Sequence, residues 1–135
     1  MKKYLPAYFA MALLMILLDF IWLGTLAKPI YQQGIGNLMA TQPNLIFAAL
    51  FYIIYVYGLL VFALRPHAAL KGFSKTAVTA ALFGFIVYAS YDLTNLAVLK
   101  NWPVDLALID ITWGVFISTV STVAGKFVFD RLNIN

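Results

Sequence analysis

Four apolar stretches, each long enough to cross a bilayer, constrain this 135-residue chain more than any other feature. About 20 apolar residues of helix span a hydrocarbon core roughly 30 Å thick. The stretches predict helices over about 5–27, 45–64, 75–99 and 103–129. Their ends carry local signals. Pro6 suits an opening turn, Pro43-Asn44 opens the second span and Arg65-Pro66 closes it. Ser74 is a candidate N-cap for the third. The fourth is entered through Trp102-Pro103, with Asp105 in the first turn, where the helix dipole favours an anion. The expected fold is an all-α integral membrane protein, with residues 1–135 forming one small four-helix bundle. At 64% hydrophobic and 10% charged, the chain leaves no material for a separate soluble domain, since soluble domains run near 45–50% apolar and about 25% charged.

The first span begins like a signal peptide, with Lys2 and Lys3 before an apolar run and Thr25-Leu26-Ala27 resembling a cleavage site. Its apolar stretch from Leu5 to Ala27 is longer than the roughly 7–15 residues of a signal core. It also carries Asp19 and Trp22, so a retained helix is expected.

Basic residues give the orientation. Lys2, Lys3, Arg65, Lys71, Lys75, Lys126 and Arg131 fall on one side, and only Lys28 and Lys100 on the other. By the positive-inside rule both termini lie in the cytoplasm and the 28–44 and 99–104 connections face outward. The net charge of +4 is thereby a topological signal, and no nucleic-acid partner is expected. The 28–44 connection is long for a helix–helix turn. It reads as a surface loop with a short interfacial segment, or as a lid over an outward-facing site.

Three of the five acidic residues, Asp19, Asp92 and Asp110, lie inside the apolar spans. An aspartate at a helix centre costs roughly 2.5–3.5 kcal/mol on insertion scales, so it faces a partner, a cavity or a ligand. Asp19 lies nine residues before Lys28, Asp92 eight before Lys100 and Asp110 seven after Pro103. At 1.5 Å per residue each carboxyl sits roughly 10–14 Å inside the outer helix ends. Tyr52 reaches the same level. Ala77, Ala81, Gly84, Tyr88, Asp92 and Asn95 follow one helical stripe, and Asp110, Gly114, Ser118, Ser121 and Gly125 another. Small residues let helix backbones approach in lipid, so these aspartates point into the bundle. Two roles fit. They bind a proton, cation or ligand, or they act as interhelical glue, a bond averaging about 0.6 kcal/mol.

Asp19-Phe20-Ile21-Trp22 in the first span echoes Asp110-Ile111-Thr112-Trp113 in the fourth, and Ala48-Ala49-Leu50-Phe51 echoes Ala80-Ala81-Leu82-Phe83. The paired spans run in opposite directions, as in inverted-repeat transporters. Trp22 and Trp102 suit the interfacial aromatic belt. Trp113 lies too deep for it, and packs the bundle, stacks on a ligand or donates its N–H to a carboxylate. Tyr88, one turn from Asp92, is the first choice for a hydrogen bond to it.

Several chemistries are absent. With no cysteine there are no disulfides, thiolate metal sites or cysteine nucleophiles. His67, the one histidine, falls in the 65–75 loop, and no zinc-type cluster is present. No phosphate-cradling loop or nucleophile elbow occurs, and Ser90, Ser118 and Ser121 have no histidine base. No metal and no cofactor are expected, and no catalytic residue is identified.

Asp19-x-x-Trp22-Leu23-Gly24, Phe51-Tyr52, Tyr91-Asp92-Leu93-Thr94-Asn95-Leu96-Ala97, Trp102-Pro103 and Asp110-x-x-Trp113-Gly114 together carry a family resemblance. The chain resembles the bacterial predicted membrane proteins of domain-of-unknown-function family 2177 over nearly its whole length. The resemblance implies a compact four-helix protein of the bacterial inner membrane and implies no activity. The residues themselves suggest an acidic site in the outer half, formed by Asp19, Asp92 and Asp110. Asn95, Tyr88 and Tyr52 would support it, with Trp113 and Trp22 alongside. It would bind or pass a cation, proton or small polar solute, with transport needing a homo-oligomer. The alternatives are an intramembrane lipid-modifying enzyme using paired aspartates, or an accessory subunit of a membrane complex.

Overall fold

A bilayer interior offers backbone groups no water, so the spanning segments satisfy their own N–H and C=O groups as helices. The computed structural model describes residues 2–133, and among them there is no strand. Helix α1 covers Leu5–Ile21 and continues through a wider π turn, Trp22–Leu26. Helix α2 is short, Lys28–Ile35, and α3 covers Leu45–Leu59, extended by a second π turn at Leu60–Leu64. Helices α4, Ser74–Val98, and α5, Val104–Leu132, complete the bundle. Four of these helical stretches are long and apolar enough to cross a membrane.

Local chemistry explains most of the boundaries. Pro6 sits in the first turn of α1, where its missing N–H costs nothing. The Asn44 side chain caps α3, accepting from the Ile46 and Phe47 amides at 3.1 and 3.4 Å. Ser74 departs from expectation. It is the first residue of α4, follows Phe73 at the cap position, and no side chain caps this helix. Between α4 and α5 the chain reverses through Asn101, whose φ of 63° is the left-handed conformation that asparagine tolerates better than most residues.

Helix α5 is the central element, packed along α4 on one side and α1 on the other. Small residues permit this. A Cβ built on Gly84 would lie 2.4 Å from the Gly114 carbonyl oxygen, so α4 and α5 touch backbone to backbone. Gly125 likewise receives Met11 of α1. The buried face of α4 is turned slightly from the stripe that spacing suggests. Thr76 and Ala80 are buried and Ala77 and Ala81 only partly so, whereas Gly84 and Asp92 lie on it as expected. Met11, Met15, Val56, Leu59, Ala80 and Ile117 fill the core. The outer surface is apolar as lipid requires, with Phe20 80% exposed.

One basic residue is not on the surface. Lys126 is 1% exposed, and its ammonium donates to Asp130 Oδ1 at 2.5 Å and to the Leu70 carbonyl at 3.1 Å. It clasps the α3–α4 loop to α5.

Candidate functional site

The end of the bundle opposite the Lys126 clasp gathers all three membrane-depth aspartates, each held by an aromatic donor. Asp19 of α1 is buried and accepts from the Tyr52 hydroxyl at 2.9 Å and from the Trp113 indole N–H at 2.8 Å. One carboxyl thus ties α1 to α3 and α5. Asp92 of α4 is 1% exposed and accepts from the Trp102 indole at 3.3 Å. The Asn101 reversal folds Trp102 back over the end of α4, where it also meets Tyr91 edge-on with ring centroids 6.0 Å apart. Asp110 of α5 accepts a hydrogen bond from the Tyr31 hydroxyl.

The three carboxyls do not form one equal cluster. The Asp92 and Asp110 carboxyls lie close enough to interact directly, while Asp19 lies within electrostatic range of Asp110. Among the described residues no three ligand side chains converge as a metal-ion site. The second oxygen of Asp92, Oδ2, is buried without a hydrogen-bond donor. The one ion pair among the described residues is Lys126–Asp130. No lysine or arginine therefore neutralises the Asp92–Asp110 pair.

Tyr31 is the site residue that spacing misses. It sits on α2, inside a connection whose polar content reads as a loop. Gly34 lets α2 dock on the start of α5, its Cβ position lying 3.2 Å from both Pro103 and Leu106. This docking brings Tyr31 down to Asp110. Burial, then the Asp110 carboxylate, push the Tyr31 phenol above its ordinary value of 10.0. The folded phenol holds its proton more tightly than the unfolded one. Its stabilising contribution is therefore complete below pH 10.0 and lost as pH rises beyond it. Tyr31→Phe is expected to cost about 1.5 kcal/mol, the lower end for a bond to a charged group. Hydrogen exchange should show that loss as faster opening of residues 28–38, with the spans little changed.

Other expected residues fall differently. Tyr88 makes no hydrogen bond to Asp92. Its ring covers Gly114, whose Cβ position lies 2.2 Å from Tyr88 Cγ, and it meets Tyr55 edge-on. Tyr88 serves packing because α5 leaves a glycine-sized gap opposite it. Asn95 contributes no side-chain hydrogen bond, only a backbone carbonyl to Leu99. Trp22 has a packing role beyond the belt. It stacks on Trp113 at 4.4 Å and 6° between planes. Its indole N–H lies near the Tyr31 hydroxyl without reaching hydrogen-bond geometry. The two Asp-x-x-Trp motifs are thereby crossed, with Trp113, from the motif of Asp110, bonding Asp19. The π turn after Ile21 gives Trp22 its place, and such turns are frequent at functional sites.

Beside the stacked indoles a groove of about 500 Å³ opens on the lipid-facing side, lined by Leu108, Ile109, Thr112 and Phe116 as well as the two tryptophans. No curated protein and no solved structure matches the chain. The model of one family, described as predicted membrane protein (DUF2177), matches residues 4–127. With that match over nearly its full length, the chain belongs to the DUF2177 family of predicted membrane proteins.

Proposed function

We propose that the Asp92–Asp110 pair holds a proton or a small monovalent cation, and that α2 covers the site through Tyr31. The observation that carries this reading is the Asp92 carboxyl itself. It is 1% exposed, faces Asp110, and keeps one oxygen without a donor. Two carboxyls at membrane depth with no basic partner repel unless positive charge lies between them. A lone proton or a dehydrated monovalent ion fits a site of two carboxyls and one aromatic hydroxyl, whereas a divalent metal needs more oxygen ligands.

In this reading the basic end faces the cytoplasm of a bacterial inner-membrane protein and the aspartates lie in the outer half. Passage across the membrane would use a homo-oligomer, because one such bundle is too narrow for a separate channel. The groove beside Trp22 and Trp113 favours a second reading, an enzyme that admits a lipid sideways and uses the paired aspartates as acid and base.

Thermal unfolding in detergent tests the first reading. Wild type and Asp92→Asn are compared across lithium, sodium and potassium and from pH 5 to 8. Wild type should gain several degrees from one cation or from protons, as a ligand at 100 times its dissociation constant adds about 2.7 kcal/mol. Asp92→Asn should lose that response. A wild type indifferent to every cation and to pH would sink the cation and proton reading, and stabilisation by added lipid alone would favour the enzyme.

A further inference from the structure

The opposite end of the bundle carries a second binding feature, independent of the acidic site. A cavity of about 600 Å³ opens there, and Lys3 reaches it from the N-terminal segment while Arg65 and Lys71 reach it from the two ends of the α3–α4 loop. Basic residues at one end are sufficient to orient a protein, but orientation does not require them to converge. Here they are gathered. Tyr4 stacks on Phe129 at 4.8 Å, and the Lys3 ammonium and Arg65 guanidinium lie 5.5 and 5.9 Å from the Tyr4 ring centroid. The acid in the cavity lining, Asp130, is already engaged by Lys126. The cradle therefore keeps a net positive charge.

An apolar groove of about 370 Å³ adjoins this cradle and shares Tyr4 and Arg65 with it. It runs down the lipid-facing side between α1 and the α3 end, along Tyr8, Tyr57, Leu60 and Val61. A positive pocket whose wall continues into an apolar groove has the layout of a phospholipid, with phosphate above and acyl chain below. Basic pockets between membrane helices bind anionic head groups. We propose that this end of the protein binds one anionic phospholipid of the surrounding bilayer. Its phosphate is held by Lys3, Arg65 and Lys71, and one acyl chain lies in the adjoining groove.

Native mass spectrometry of the full chain, released from micelles holding phosphatidylglycerol and phosphatidylcholine of identical chains, tests this. Wild type should retain phosphatidylglycerol preferentially. Each basic contact contributes about fivefold, so the K3Q/R65Q/K71Q variant should lose on the order of a hundredfold in that preference. All three residues are exposed, so the fold tolerates the changes. K75Q removes a charge from the same end but outside the cradle, and should keep the preference. The proposal is overturned if wild type shows no preference, if the triple variant retains it, or if K75Q weakens it as much as the triple variant does. It is equally overturned if inorganic phosphate displaces the lipid at millimolar concentration, because the site would then recognise the free anion.

Discussion

Replacing Gly84 by alanine is expected to destabilise the protein by about 2 kcal/mol, measured by reversible unfolding in mixed micelles. The added methyl would meet the Gly114 carbonyl oxygen at 2.4 Å. That oxygen belongs to the α5 backbone, so no side-chain rotation relieves the overlap and the two helices must separate. Overpacking of this kind costs up to about 3 kcal/mol, and the better helix propensity of alanine returns up to about 1. Gly24→Ala is the matched control. No atom lies within 4 Å of its Cβ position, so only the propensity term remains and stability should hold or rise slightly. Equal stability in the two variants would mean that α4 and α5 do not touch at Gly84. The consequence reaches the acidic site, because the same α4–α5 approach brings Asp92 against Asp110.

Asp130→Ala is expected to cost about 2 kcal/mol, again by unfolding in micelles. Removing one member of a buried ion pair typically costs 3–5 kcal/mol, since the remaining charge is stranded. The figure is discounted because Asp130 is 32% exposed and water can approach the ammonium there. The opposite substitution behaves differently. Lys126→Met keeps the volume and removes the buried charge, so it should lose less than about 1 kcal/mol, chiefly the hydrogen bond to the Leu70 carbonyl. Lys126→Met combined with Asp130→Ala should recover most of the single Asp130→Ala loss. If Lys126→Met proves the more damaging single change, the clasp on the 65–73 loop matters more than the charge balance.

The spans were legible because their signal is local and cumulative. Some twenty apolar residues in succession have one low-energy solution in a bilayer, and Pro6, Asn44 and Pro103 mark where three of the four start. The depth of Asp19, Asp92 and Asp110 was legible for the same reason, since rise per residue is fixed. Tyr52 follows from that count and does bond Asp19. The partners of Asp92 and Asp110 do not follow from it. Spacing along α4 favours Tyr88, one turn away, yet Trp102 takes the bond because Asn101 reverses the chain above Asp92. Tyr31 was hidden because α2 has too few apolar residues to announce itself, and its helix is fixed by docking through Gly34.

By itself, then, the sequence determined the all-helical membrane fold, the spans, and the level at which carboxyls enter the apolar interior. Those properties depend on composition and on a constant helical rise. Only the tertiary structure decided that Asp92 pairs with Asp110 while Asp19 stands apart, that Trp113 reaches across to Asp19, and that Lys126 is buried. Each of these depends on helix rotation and on a glycine-sized approach between backbones, which a one-dimensional pattern fixes no more finely than the side-chain volumes that meet there.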